Sequence, residues 1–256
     1  MRTRMAMFCA LILFSSVAFL RAEDFEAKTF TGANGKSLPY RIMKPLNLDP
    51  AKKYPLVLFF HGVGENGADN NAQLKNGVMA FASKANREKF PCFVACPQCP
   101  QGVKWVDTDW GLPKHTQPKE PTWPLVTAME LLASLEKELP IDTTRIYISG
   151  VSLGGFGTWD AITRWPEKFS AAVPVCGGAD ETKAPMVAKL PIWTFHGDKD
   201  GVVKTIRSRN MVKAIQDAGG SPKYTEFPGV GHDSWNKAYI EPGLMEWLFA
   251  QKGATK

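Results

Sequence analysis

Apolar positions along the chain come in two kinds. Tyr54-Pro-Leu-Val-Leu-Phe-Phe60, Ile146-Tyr-Ile148, Phe169 to Val175 and Leu190 to Phe195 are short unbroken runs, the pattern of buried strands. Phe90 to Cys96, stopped by Pro97, and Pro222 to Phe227 add two more. Between them the apolar period lengthens. Leu74, Val78, Phe81 and Ala82 predict a helix over 71–86, and Leu125, Met129, Leu132 and Leu135 one over 124–139. Further helices are predicted over 156–164, over 203–218 before Gly219-Gly220, and over 241–251. Glu26 to Phe30 and Leu38 to Met43 flank Gly32-Ala-Asn-Gly35, which predicts an edge hairpin. Strands alternating with helices predict an α/β fold with a mostly parallel, doubly wound sheet. Residues 97–124 fit neither pattern and read as a long, Pro- and Trp-rich loop.

The centre of this arrangement is Gly150-Val-Ser152-Leu-Gly154, directly after the Ile146–Ile148 strand and before a helix. Strand, tight turn and helix are the context in which Gly-x-Ser-x-Gly becomes a nucleophile elbow. The glycines remove Cβ atoms where strand and helix crowd together. The turn lifts the Ser152 hydroxyl clear of the sheet and aims the Leu153 N–H at the same point.

Such a serine needs a base, an acid and a second oxyanion donor. His232, on the glycine-rich Gly229-Val-Gly231 loop after the last strand, is the candidate base. Asp198 and Asp200 both follow the Leu190–Phe195 strand, where a doubly wound sheet presents its acid. Asp200 is preferred, because the chain turns into the next helix there, and Asp198 is expected to cap the turn. Asp233, adjacent to His232, is a weaker alternative. The Tyr54–Phe60 strand runs into His61-Gly-Val63-Gly, which suits an oxyanion loop with the Val63 N–H as donor. His61 and His196 are expected to be structural and His115 to lie on the surface. Trp105, Trp110, Trp123 and Trp235 are candidate substrate contacts; the alternative for each is packing.

Composition narrows the picture. The 256 residues and 44% hydrophobic content suffice for one domain. Three arginines among the first 22 residues carry half of the +6 charge. No basic-aromatic stripe appears, so nucleic acid is not an expected partner. Arg2 and Arg4 before an apolar Met5–Leu20 stretch, then Ala22, read as a signal peptide over 1–22. The catalytic domain is then 23–256, in a secreted or periplasmic protein with no membrane attachment after cleavage. Export permits disulfides among Cys92, Cys96, Cys99 and Cys176, although Cys92 and Cys96 lie too far apart along one strand to join each other. Cys96-Pro-Gln-Cys99 lacks a second pair at zinc spacing, and Asp107-Thr-Asp109 lacks the glycine and distal glutamate of a calcium loop. Neither a metal nor a cofactor is expected.

The order Ser152, Asp200, His232 is that of the α/β-hydrolases, which the chain resembles over residues 25–251. More closely it resembles secreted esterases of the polyhydroxybutyrate-depolymerase and feruloyl-esterase kind, with their "predicted peptidase" relatives. The resemblance is carried by Phe60-His-Gly-Val-Gly-Glu-Asn-Gly67, Pro97-Gln-Cys-Pro100, Gly150-Val-Ser-Leu-Gly-Gly155, Val175-Cys-Gly-Gly178, His196-Gly-Asp-Lys-Asp200 and Gly231-His-Asp-Ser-Trp235. It implies an α/β-hydrolase fold without a separate cap domain and a serine esterase acting on small-molecule or polysaccharide-linked acyl or feruloyl esters. The same triad also suits a serine peptidase. A hydrolase-like binding module without activity is the reading from another class, and intact candidates for all three roles argue against it.

Overall fold

The computed structural model describes residues 24–253; the expected leader at 1–22 lies outside them. In chain order the elements are β1 (Phe25–Thr31), β2 (Ser37–Met43), β3 (Tyr54–Phe60), α1 (Lys84–Lys89), β4 (Phe93–Pro97), α2 (Trp123–Glu138), β5 (Ile141–Val151), α3 (Leu153–Arg164), β6 (Ala171–Val175), α4 (Ala184–Val187), β7 (Trp193–Gly197), α5 (Ile206–Asp217), β8 (Lys223–Phe227), α6 (Trp235–Ala238) and α7 (Leu244–Ala250). The described residues form one eight-stranded sheet, ordered β1-β2-β4-β3-β5-β6-β7-β8. The β1–β2 and β2–β4 pairs are antiparallel and all other pairs parallel. This is the doubly wound sheet the alternating pattern predicts, with the hairpin at its edge.

The unbroken apolar runs have a direct cause. All of β3 is buried. Leu56, Leu58 and Phe60 pack in the core that Leu125, Phe156 and Met211 of α2, α3 and α5 help to build; Val57 and Phe59 pack in the opposite core with Tyr239, Leu244 and Leu248. A strand between two helical layers needs apolar side chains on both faces.

One predicted helix is absent. Residues 71–86 form two single 3₁₀ turns, at Ala72–Leu74 and Val78–Ala80, and a regular helix begins only at Lys84. Leu74, Val78, Phe81 and Ala82 are buried as their spacing requires. The helix is broken at Gly77, where φ is +81° and the backbone sits so close to the Tyr239 ring that a Cβ would come within 2.4 Å of it. The Asp69 carboxylate takes the Asn71 and Ala72 amides, a local alternative to helical bonding.

The helix predicted from Val203 starts at Ile206, because the amides of Val202 and Val203 are bound by the Asp200 carboxylate. All four cysteines among the described residues are free and buried, and burial pushes Cys92, Cys99 and Cys176 up to about 12. Among the described residues no helix is long and apolar enough to cross a membrane.

Candidate active site

At the end of β5 the backbone reverses sharply. Ser152 has φ 53° and ψ −118°, a conformation that costs a non-glycine residue energy and persists only when its surroundings enforce it. They do: the Ser152 N–H donates to Val175 O at 3.0 Å, and Ser152 O accepts the Phe156 amide at 3.0 Å as α3 begins. The flanking glycines have no alternative. A Cβ on Gly150 would lie 2.3 Å from Gly154 O, and one on Gly154 would lie 2.0 Å from Phe60 O.

His232 reaches this hydroxyl from the loop after β8. Its Nε2 lies 2.8 Å from Ser152 Oγ and its Nδ1 lies 2.7 Å from Asp200 Oδ2. An ionised carboxylate only accepts, so Nδ1 carries the proton and Nε2 is left to accept from the serine. Three residues separated by 48 and 32 positions thus form one continuous line of hydrogen bonds.

The carboxylate is firmly held. Asp200 Oδ1 accepts the Val202 and Val203 amides at 2.8 and 2.9 Å. Burial pushes this carboxyl upward, but hydrogen bonds from His196 and His232 outweigh it and hold the group well below the usual carboxylate range. Asp198 does not cap its own turn, whose Val202 and Val203 amides go to Asp200; instead its Oδ1 accepts the Gly229 N–H at 2.7 Å and pins the loop that carries His232. Gly197 completes that attachment, since a Cβ there would strike Val230 O at 2.3 Å. Asp233 is exposed and bonds Asn236 at 3.2 Å, away from the imidazole nitrogens.

Leu153 is the first residue of α3 and Val63 the first of a 3₁₀ turn, Val63–Glu65. Neither amide has a carbonyl partner within its own turn. Gly62 lies against the serine, where a Cβ would stand 3.5 Å from Ser152 Cβ. His61 is structural, as predicted. It is buried, its Nδ1 donates to Gly62 O at 2.6 Å, and its Nε2 accepts the Cys99 N–H at 2.9 Å. Burial lowers its pKa to about 4, so it stays neutral in this role.

The four tryptophans separate. Trp105 is buried, stacks on Phe60 at 4.4 Å and donates from Nε1 to His61 O at 3.1 Å; it packs beneath the loop rather than facing solvent. Trp123 opens α2 and lies under Lys36 of the edge hairpin. Trp110 is half-buried beneath Lys104. Trp235 alone of the four contacts the Ser152–His232–Asp200 line, edge to face with the His232 ring at 5.4 Å. His115 is not a surface residue. It is half-buried beside Phe156 and Arg207, and burial pushes its pKa down to about 4.

Sequence reasoning missed one contact here. His196 packs in the interior, as predicted, but its Nε2 also stands 3.2 Å from Asp200 Oδ2. The available signal was a histidine four residues before an acid across a tight turn. Cys176 Sγ, Asp200 and His232 have potential ligand atoms within 4.8 Å of one another. The set suits a metal poorly, because the thiol is pushed up to about 12 and the carboxylate is already committed to N–H donors.

A family described as Phospholipase/Carboxylesterase matches residues 48–240, about three-quarters of the chain. The protein belongs to that family. It is an α/β-hydrolase and a carboxylic-ester hydrolase. A crystal structure of a thermostable esterase matches with a TM-score of 0.84 at 39% identity, covering 90% of this chain and 64% of that one. A probable carboxylesterase of Oryza sativa subsp. japonica is 25% identical over 77% of this esterase and 82% of its own length. A bifunctional acetylxylan esterase/xylanase of Neocallimastix patriciarum is 29% identical over 72% of this chain and 24% of its own. The esterase therefore spans under two-thirds of the solved relative and a quarter of the bifunctional one.

Proposed function

We propose that this esterase is exported and cleaves acyl esters of plant polysaccharide through a Ser152–His232–Asp200 triad, with Leu153 and Val63 N–H groups as the oxyanion hole. The observation that carries this reading is the unbroken hydrogen-bonded line from Asp200 through the imidazole to a hydroxyl on a strained turn. His232 Nε2 takes the proton as Ser152 Oγ attacks the ester carbonyl. Asp200 fixes the ring tautomer and steadies the imidazolium. The developing oxyanion takes the two free amides, each worth about 2.7–4 kcal/mol in comparable enzymes. His232 then protonates the leaving alkoxide, and water activated by the same imidazole releases the acyl group.

The substrate class is supported by the acetylxylan esterase/xylanase among the relatives, and feruloyl esters by a feruloyl esterase module from Clostridium thermocellum with the same fold at 16% identity and TM-score 0.65. Export is supported by the leader-like residues 1–22, with 23–256 as the catalytic domain, and by a relative from Arthroderma benhamiae described as secreted.

The test is turnover of p-nitrophenyl acetate, acetylated xylan and methyl ferulate beside a peptide p-nitroanilide. Ester turnover is expected, falling by about 10⁴-fold or more in Ser152→Ala. Unchanged turnover in that variant would remove Ser152 from the chemistry. Preferential cleavage of the anilide would make the protein a peptidase. The mass of the exported enzyme reads its N-terminus, expected near residue 23; retention of residues 1–22 would refute cleavage.

A further inference from the structure

We propose that His196, held by Ser208, is a positioning residue that acts through Asp200 on His232. The inference rests on the triad reading above and deepens it. His196 is fully buried near the end of β7. Its Nε2 lies 3.0 Å from Val203 O and 3.2 Å from Asp200 Oδ2. Both neighbours are acceptors, and a bare ring nitrogen would set its lone pair against two oxygens, so Nε2 carries a proton. Nδ1 lies 2.7 Å from Ser208 Oγ in the first turn of α5, which fixes the other side of the ring.

The N–H is aimed mainly at the Val203 carbonyl and passes close to the carboxylate. The oxygen it approaches is the one that receives His232 Nδ1 at 2.7 Å, while Oδ1 is taken by two backbone amides. Turning the carboxylate away from His232 would also draw it off His196. The buried dipole further shares the negative charge, so the carboxylate grips the imidazolium proton less tightly than it would alone.

Other groups face this pair. Cys176 at the end of β6 holds a thiol that burial pushes up to about 12, and Ser152 and Trp235 contact the imidazole. Asp233, next in the chain to His232, points to Asn236. Glu226, opposite His196 in β8, is paired with Arg209.

A packing role alone would make His196 variants unstable without moving their pH profile. A positioning role moves the profile. Without the donor, the carboxylate keeps more of its charge and the imidazolium is better stabilised. The acid limb of kcat/KM then rises.

The experiment compares wild type with His196→Leu, His196→Gln and Ser208→Ala, using p-nitrophenyl acetate across pH and near-UV circular dichroism for folding. His196→Leu is expected to lose about tenfold in kcat with KM nearly unchanged, and its acid limb to rise by about half a pH unit or more. The glutamine amide can restore an N–H near Asp200, so His196→Gln should return to within about threefold of wild type. Ser208→Ala should show a smaller shift of the same sign. Folded variants whose acid limbs match wild type would overturn the proposal. If His196→Leu does not fold, the limbs of the other two variants decide in the same way. Full turnover in Ser152→Ala would overturn the triad and this proposal together; an inactive Ser152→Ala with unmoved limbs overturns this proposal alone.

Discussion

The elbow at Gly150–Gly154 and the loop at 98–122 both border the carboxyl edge of the sheet, yet they are fixed by different means. In the elbow, backbone meets backbone. Gly150 and Gly154 sit where a Cβ would press on main-chain atoms of Gly154 and Phe60. In the loop, side chains hold irregular backbone in place. Arg207 Nη1 donates to Leu112 O at 2.8 Å, the Gln117 N–H donates to Asp180 Oδ2 at 2.8 Å, and Asn66 Nδ2 donates to Val103 O at 2.8 Å. The first device tolerates no added atom. The second can be retuned one side chain at a time.

The sharpest test of this contrast is a pair of glycines. In Gly154→Ala the new methyl would stand 2.0 Å from Phe60 O and 2.6 Å from His61 O, so β3 and α3 would have to separate. Soluble folded enzyme is expected to be lost, read by expression yield and circular dichroism. In Gly111→Ala the nearest atom is an Asp109 side-chain oxygen at 3.3 Å. Stability there should stay within about 0.5 kcal/mol of wild type. A folded Gly154→Ala enzyme with normal turnover would dissolve the distinction.

The same difference decided what could be read from the sequence. β3, β5 and the elbow were legible because their constraints are local: two buried faces demand an unbroken apolar run, and a tight turn demands glycine. Residues 71–86 misled because burial and helix share one spacing. Leu74, Val78 and Phe81 are in the core without a helix beneath them, and only the Tyr239 ring, far along the chain, shows why Gly77 breaks it. Trp105 and His115 were uncertain or misjudged for a related reason. Their burial depends on Phe60, Phe156 and Arg207, partners that composition cannot assign. The contact of His196 with Asp200 likewise needs the fold of the β7–α5 turn.

That turn lies between the two extremes, since backbone amides fix one oxygen of Asp200 and side chains the other. In Asp200→Asn the amide can no longer serve both the Val202 and Val203 N–H groups and the His232 N–H as an acceptor, and the imidazole tautomer is lost. Turnover is expected to fall by about 10⁴-fold. In Asp198→Asn the side-chain oxygen still accepts the Gly229 N–H, so the loop stays pinned and the loss should be no more than about threefold. A loss of kcat on p-nitrophenyl acetate in Asp200→Asn as small as that in Asp198→Asn would remove Asp200 as the acid.

The smallest expected effects separate two tryptophans of the one loop. Trp105 is fully buried, stacked on Phe60, and bonded through Nε1 to His61 O; Gly157 of α3 leaves room for it, since a Cβ there would meet Trp105 Cβ at 2.8 Å. Trp105→Ala opens a cavity under the loop after β3 and should cost about 3–5 kcal/mol in urea unfolding. Trp110 is half-buried, and Lys104 Nζ sits 4.8 Å from its ring centroid. Removing it takes away a surface and leaves no enclosed void, so Trp110→Ala should cost less than about 1 kcal/mol. If this ring meets aromatic acyl groups, KM for methyl ferulate rises by about three- to tenfold while p-nitrophenyl acetate is unaffected, as stacking of about 0.5–1.5 kcal/mol requires. Equal destabilisation by the two substitutions would make the loop a single packed unit. An unchanged KM for both esters would leave Trp110 to hold Lys104 and shift the search for the aromatic contact to Trp235, whose ring already packs against His232.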